Sequence, residues 1–260
     1  MGMVSTLVSP SSGGELISFV IPAYNEELLL GRTLCALYDA ARALGQPIDV
    51  VVVDDASTDR TASVAREHGA RVVSVNHRQI AATRNAGATA ATGEMLIFVD
   101  ADTVVTSAAI RAAVAAMRAG AVGGGCAFRF DGHLPLYGRL LAALGVPLYR
   151  LFRLASGCFL FCTRAAYDSV GGFDEALFGA EEAAMSRALG RQGRFVILRE
   201  HVTTSGRKLR AYSAREILGL LARLTLSGPK SVRRREGLDV WYGERRIDPE
   251  SPPIQVQYRT

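Results

Sequence analysis

The chain has no glycine-rich phosphate loop. Its first expected strand turns into its first helix through Ala23-Tyr24-Asn25-Glu26, with no glycine. A dinucleotide fold needs G-x-G-x-x-G there, so that backbone can approach a pyrophosphate. The pattern G-x-x-x-x-G-K-[ST] is absent too, which removes P-loop chemistry. Cysteine is scarce: Cys35, Cys126, Cys158 and Cys162, with no CxxC pair. Cys158 and Cys162 enclose Phe159-Leu160-Phe161, which reads as a strand rather than a zinc knuckle. Their mostly apolar neighbours suit core thiols in a reducing compartment. No charge-free apolar run approaches the ~18 residues that span a bilayer. Met1 to Gly14 lacks a basic n-region, so it is expected to be a disordered segment rather than a signal peptide. No internal repeat or low-complexity linker divides the chain.

What is present suits a globular enzyme. Apolar residues make up 49% and charged residues 21% of 260 positions, enough for one domain with a sizeable core. The net charge of +5 is unevenly placed. Thirteen Lys and Arg face two acids between Arg187 and Arg235, a local +11 that leaves −6 elsewhere. An anionic partner is expected near that third: phosphate-bearing substrate, membrane surface or nucleic acid. Nucleic acid ranks low, because no aromatics interleave the basic residues as a stacking platform.

Strands and helices alternate. Strands are expected at Leu16–Ile21, Ile48–Val53, Arg71–Val75 and Met95–Val99. Helices are expected at Glu26–Leu44, after a Ser57 or Thr58 cap, at Gln79–Ala91 and from Thr106 to Ala119. That is the βαβ rhythm of a mostly parallel, doubly wound α/β sheet. After Gly120 the rhythm breaks into a smaller mixed region. It holds strands at Val122–Phe130, Gly157–Thr163 and Phe195–Leu198. Its helices are Leu134–Leu154 (interrupted by Pro147), Arg164–Val170, Glu181–Gly190 and Tyr212–Leu226. From Pro229 the chain is basic, then Pro-containing, and is expected to be loosely ordered.

The strand exits are acidic. They carry Asn25-Glu26, Asp54-Asp55, and Asp100 with Asp102. Ligands of open α/β sheets bind outside the carboxyl ends of the strands. Side chains two apart on a strand point the same way, so Asp100 and Asp102 can converge on a hard cation. Acidic exits cannot hold a phosphate directly. They can hold a metal that does, or accept hydrogen bonds from a base and ribose.

Six pieces stand in one order: Ile21-Pro22-Ala23-Tyr24-Asn25-Glu26-Glu27, Val52-Val53-Asp54-Asp55-Ala56-Ser57-Thr58-Asp59, Ala82-Thr83-Arg84-Asn85-Ala86-Gly87, Phe98-Val99-Asp100-Ala101-Asp102, Val170-Gly171-Gly172-Phe173-Asp174-Glu175 and Glu181-Glu182. The ordered set, covering roughly Leu16 to Arg210, resembles the inverting glycosyltransferases of family 2, which have the GT-A (nucleotide-diphospho-sugar transferase) fold. The resemblance implies a domain over 15–228. Its nucleotide-binding half would be 15–105 and its acceptor-binding half 106–228, with 1–14 and 229–260 outside it.

The resemblance also implies roles. Pro22, Tyr24 and Glu26 would line the nucleotide pocket. Asp55 would accept from the imide N–H of a base, which favours a UDP-sugar donor. Arg84 would approach the base or a phosphate, Asp100 the ribose, and Arg207 with Lys208 the diphosphate. Asp102 would bind Mn2+ or Mg2+, with His201 completing the metal site. Inverting transfer needs a carboxylate to take the acceptor hydroxyl's proton. The family's usual Glu-Asp pair is Glu181-Glu182 here, so Glu182 aligns with the base and Glu181 competes for the role. The acceptor is expected to be a glycan, lipid-linked or of the cell envelope. The apolar, Arg-bearing stretches at Leu134–Leu154 and Ile217–Leu224 leave in-plane membrane contact open. The expected location is cytoplasmic, or peripheral at the inner face of the membrane. Two alternatives stay open: a nucleotidyltransferase on a similar sheet, and a non-catalytic nucleotide-sugar or membrane-surface binder.

Overall fold

Strand β1 (Ile17–Ala23) is buried along both faces. Ile17, Phe19 and Ile21 join one apolar core, while Val20 joins the other. Period-two alternation therefore serves two layers of helices. The computed structural model describes residues 15–227 and 232–250. The segment expected to be disordered at 1–14 lies outside them.

The chain continues through α1 (Leu30–Arg42), β2 (Ile48–Asp55), α2 (Thr61–Glu67), β3 (Arg71–Val75), α3 (Ile80–Ala90) and β4 (Met95–Val99). A short β5 (Thr103–Val104) precedes α4 (Ser107–Arg118) and β6 (Gly123–Phe130). Then come α5 (Leu136–Leu151), β7 (Phe159–Thr163), α6 (Arg164–Val170), α7 (Glu181–Gln192) and β8 (Phe195–Thr204). Helices α8 (Arg207–Ala211), α9 (Ala214–Ser227) and α10 (Asp239–Tyr242) end the described chain. The sheet order is β3-β2-β1-β4-β7-β6-β8-β5. Strands β3, β2, β1 and β4 are parallel; β7 runs antiparallel between β4 and β6; β8 is parallel to β6 and antiparallel to β5. Strand order reverses between β1 and β4, and a crevice opens at such a switch point.

Helices α1 and α4 fill one core with Leu30, Leu34, Leu37, Ile110 and Val114. Helices α3, α6 and α7 fill the other with Ala81, Ala88, Tyr167, Met185 and Leu189. Several expectations are corrected. Ser57 and Thr58 do not cap α2, whose N-cap is Arg60. They lace to the neighbouring loop instead: Asn25 N–H donates to Ser57 Oγ (3.0 Å) and Thr58 N–H to Asn25 Oδ1 (2.8 Å). Helix α5 runs on through Pro147, giving up one backbone hydrogen bond. Strand β8 extends to Thr204, so His201 lies inside it. All four cysteines are free thiols; Cys126, Cys158 and Cys162 are buried, but Cys35 is exposed on α1. The tail is not loose over 232–250. Phe178 N–H donates to Val232 O (2.6 Å), and Arg210 holds Asp248 (2.6 Å). Positions 229–231 and 251–260 lie outside the described residues.

Helix α3 lies close on the sheet because Gly87 has no side chain. A Cβ there would stand 2.3 Å from Val20 Cγ1 and 2.7 Å from Val53 Cγ2. Gly87→Ala gains up to about 1 kcal/mol of helix propensity. Overpacking a close-fitted core costs about 1–3 kcal/mol, so the clash wins. Urea unfolding of the variant is expected to show a lower midpoint with an unchanged m-value.

Candidate active site at the strand exits

A cavity of ≈ 340 Å³ opens where β1, β2 and β4 end. Pro22, Tyr24, Glu26, Asp55, Arg84, Asp100, Asp102, Glu181, Glu182 and Arg207 all line it. His201 does not. It stands beside Ala127 in the β6–β8 register, and its carbonyl accepts from Thr106 Oγ1 (3.4 Å).

Strand β4 stops at Val99, so Asp100 and Asp102 belong to the turn into β5. Their convergence comes from that turn rather than from strand alternation. Thr103 N–H donates to Asp100 O (3.0 Å) and Thr33 Oγ1 to Ala101 O (2.9 Å), which pins it. Four non-glycine residues beside the cavity have left-handed backbone: Asn25, Ala56, Arg78 and Ala180, with φ of 51, 57, 50 and 59°. Strain of this kind gathers at functional sites.

Two ion networks divide the site. On one side Arg84, 2% exposed, donates to Glu181 Oε1 (2.8 Å), Asp100 Oδ1 (3.0 Å) and Gly157 O (3.2 Å), with Glu182 Oε1 at 3.8 Å. Arg84 therefore ties the β4 turn to the start of α7. Burial opposes its charge, but Asp100, Glu182 and Glu181 outweigh it and raise its pKa. Glu181 is sealed against Arg84 at 3% exposure, whereas Glu182 is 23% exposed into the cavity. Burial and the neighbouring Glu181 push Glu182 up to about 7, against the pull of Arg84. A Cβ on Gly157 would lie 2.2 Å from Glu182 Oε1. Any larger residue there would push this carboxylate from its present position. Asp100 is pushed up to about 6, chiefly by burial and then by Asp102, with Arg84 opposing. Its side chain is 35% exposed, and the exposed part faces the cavity rather than bulk solvent.

On the other side Arg207 bridges Glu26 and Asp102 (3.1 Å to Asp102). Arg245, from the tail, reaches Glu26 Oε1 (2.7 Å) and Tyr24 O (2.9 Å). Lys208 also lines the cavity. Burial lowers its pKa, against the pull of Asp102. The Tyr24 ring lies under the Arg78 guanidinium at 3.5 Å.

Asp55 anchors the loop before α3. Its carboxylate accepts from the His77, Arg78 and Gln79 N–H groups (2.7, 2.8 and 3.1 Å) and from Thr83 Oγ1 (2.8 Å). These donors fix the loop before α3 on Asp55, which also lines the cavity.

The carboxylates also bear on a metal. No three His, Cys, Asp or Glu side chains form a ready-made cage among the described residues. Asp100 and Asp102 are nevertheless the donors a hard divalent ion takes when water and substrate phosphate supply the rest. Glu26 Oε2 adds a buried acceptor with no hydrogen-bond partner. The residues fit such an ion.

Arg78, Gln79, Trp241, Tyr242 and Arg245 line the cavity without having been expected there. The chain's single Trp, set beside Tyr242 and two arginines, was the available signal.

A sheet parallel on one side and mixed on the other, with carboxylates at its strand exits, is the GT-A fold of the nucleotide-sugar transferases. Solved structures agree. A Pyrobaculum calidifontis mannosyltransferase in complex with GDP-Man and Mn2+ superimposes with a TM-score of 0.66 at 20% identity, over 88% of this chain and 68% of that one. Glucosyl-3-phosphoglycerate synthase of Mycobacterium tuberculosis, with Mn2+, UDP and product, gives 0.55 at 20% identity, over 89% and 81%. The chain belongs to glycosyl transferase family 2, which matches residues 18–167. That match ends before Glu181, Glu182 and Arg207. Among curated relatives, the undecaprenyl-phosphate 4-deoxy-4-formamido-L-arabinose transferase of Pseudomonas paraeruginosa is 41% identical over 96 residues, 34% of this chain and 28% of the relative. The validoxylamine A glucosyltransferase of Streptomyces hygroscopicus subsp. limoneus is 34% identical over 148 residues, 51% and 32%. The chain thus spans less than a third of either relative's length.

Two outcomes follow from the Arg84 network. Arg84→Met leaves Glu181 and Asp100 buried without a counter-charge, which is expected to cost about 3–5 kcal/mol by chemical denaturation. Glu182 has a folded pKa above its unfolded value. Its contribution to stability is therefore fully present below the unfolded value and lost as pH rises through about 7. Glu182→Gln is expected to melt higher than wild type at pH 8, with the gap closing at pH 5.

Proposed function

We propose that the chain is an inverting glycosyltransferase that moves a sugar from a nucleoside-diphosphate donor to an acceptor hydroxyl. The observation that carries this reading is Glu182. It is a carboxylate pushed up to about 7, facing the same cavity as Asp100 and Asp102 and held by Arg84. A base is most effective when its pKa lies near the working pH.

The acceptor oxygen attacks the anomeric carbon in line as that carbon's bond to the diphosphate oxygen breaks. Glu182 takes the hydroxyl proton, and the bond's electrons leave with the nucleoside diphosphate. Glu181 stays paired to Arg84 and orients its neighbour. Tyr24 and Glu26 border the nucleotide side, and Arg207, Lys208 and Arg245 offer positive charge to the departing diphosphate. Asp102, with Asp100, would hold Mn2+ or Mg2+, which when bound supplies Lewis-acid stabilisation of that leaving group. Manganese accompanies the nucleotide in the mannosyltransferase and synthase structures, which supports testing it first. Those two complexes contain GDP-Man and UDP, so UDP- and GDP-sugars head the donor screen. The undecaprenyl-phosphate relative supports a lipid-linked acceptor, which suits a protein working at the inner face of a membrane. In this reading the functional unit is 15–250. The boundary expected at 229 then falls inside the site, because Trp241 and Arg245 line the cavity.

The test is release of nucleoside diphosphate from donor with Mn2+, with and without acceptor. Glu182→Gln is expected to lower kcat by about 10²–10⁴ while donor affinity is kept. Asp102→Ala is expected to weaken metal-dependent donor binding. The wild-type kcat/KM is expected to rise with pH through about 7, a limb that the Gln variant lacks. Unchanged turnover in both variants overturns the assignment.

A further inference from the structure

Eleven large apolar side chains are exposed among the described residues, and seven fall between Leu136 and Phe152. Leu136 is 71% exposed, Leu144 67%, Leu151 73% and Phe152 64%. A helix that serves only its own core does not turn so much leucine outward. At about 100° per residue, Leu136, Leu140, Leu144, Leu148 and Leu151 share roughly a third of the α5 circumference, and Arg139 and Arg150 border that stripe. From Gly132 to Tyr167 the sequence holds Arg139, Arg150, Arg153 and Arg164 and no acid at all. Arg139, Arg150 and Arg153 are exposed.

We propose that α5 lies in the plane of an anionic lipid bilayer, its leucine stripe at the headgroup–acyl boundary and its arginines on the lipid phosphates. The charge argues for this occupant. An apolar stripe edged by cations without any acid complements a negative surface, whereas a second copy would set arginine stripes against each other. No helix among the described residues is long and apolar enough to cross a membrane, so seating is in-plane. Tyr149, on the same helix, lines the cavity. The cavity therefore lies across α5 from the leucine stripe, within a helix width of the membrane surface and a lipid-borne acceptor. That approach rests on the transferase reading; the seating does not.

Flotation of the full chain with vesicles tests the seating without any sugar chemistry. Phosphatidylcholine vesicles containing phosphatidylglycerol are expected to carry at least about tenfold more protein than phosphatidylcholine alone. High salt removes most of that difference. Leu140→Asp with Leu144→Asp abolishes binding, and Arg139→Gln with Arg150→Gln and Arg153→Gln lowers it to the neutral-vesicle level. Both are expected to keep the wild-type far-UV circular dichroism and melting temperature, because the changed side chains are exposed. Equal recovery with both vesicle types overturns the proposal. So does a wild-type dimer that ignores vesicles and becomes monomeric in the leucine variant, since the stripe is then an interface between copies.

Discussion

One guanidinium makes the site affordable. Three carboxylates from two distant elements converge beside the cavity, and ionised acids so close repel strongly where solvent is scarce. Arg84, carried in on α3, touches Asp100 and Glu181 directly and lies near Glu182. It fixes how the β4 turn faces α7. It also makes two adjacent glutamates unlike. The one in contact with the cation is sealed as a structural partner, and the next is left facing the cavity with its proton more tightly held.

The second network has the opposite balance. Around Glu26 and Asp102, arginines from α8 and from the tail gather, with Lys208 beside them. Protein carboxylates meet part of that positive charge. A diphosphate entering the cavity would offer the same cations stronger oxygen acceptors. The groups are already oriented, so little rearrangement is needed when charge develops on a leaving group. The Glu182 carboxylate and the cation cluster thus line one cavity, with Asp100 tied to Arg84 and Asp102 to Arg207.

Much of this was legible in the residues. Continuous apolar runs ending in acids gave the parallel strands and their exits, because a strand buried on both faces has nothing else to display. Ten of the eleven candidate site residues line one cavity. What local pattern could not reveal was which partner each side chain would meet. Asp55 also anchors a loop through three of its N–H groups, and that depends on where β3 leads into α3. That Arg84 would pair with Glu181 depends on how α7 folds against α3. His201 looks like a metal ligand when β8 is taken to end at Leu198, but the strand runs on past it. Residues 239–246 read as tail because their value is entirely in long-range contact.

That tail has a kinetic meaning. Arg245 and Glu26 meet across 219 positions of sequence. Chains emerge from the ribosome N-terminus first, and distant contacts close late because loop entropy must be overcome before they form. The sheet and Arg84 can assemble before Arg245 is synthesised. Until Arg245 arrives, the cavity lacks one of its cations and part of its wall. The cavity wall is therefore complete only once Arg245 is in place, and a nascent chain would hold the sheet and Arg84 before it held that wall.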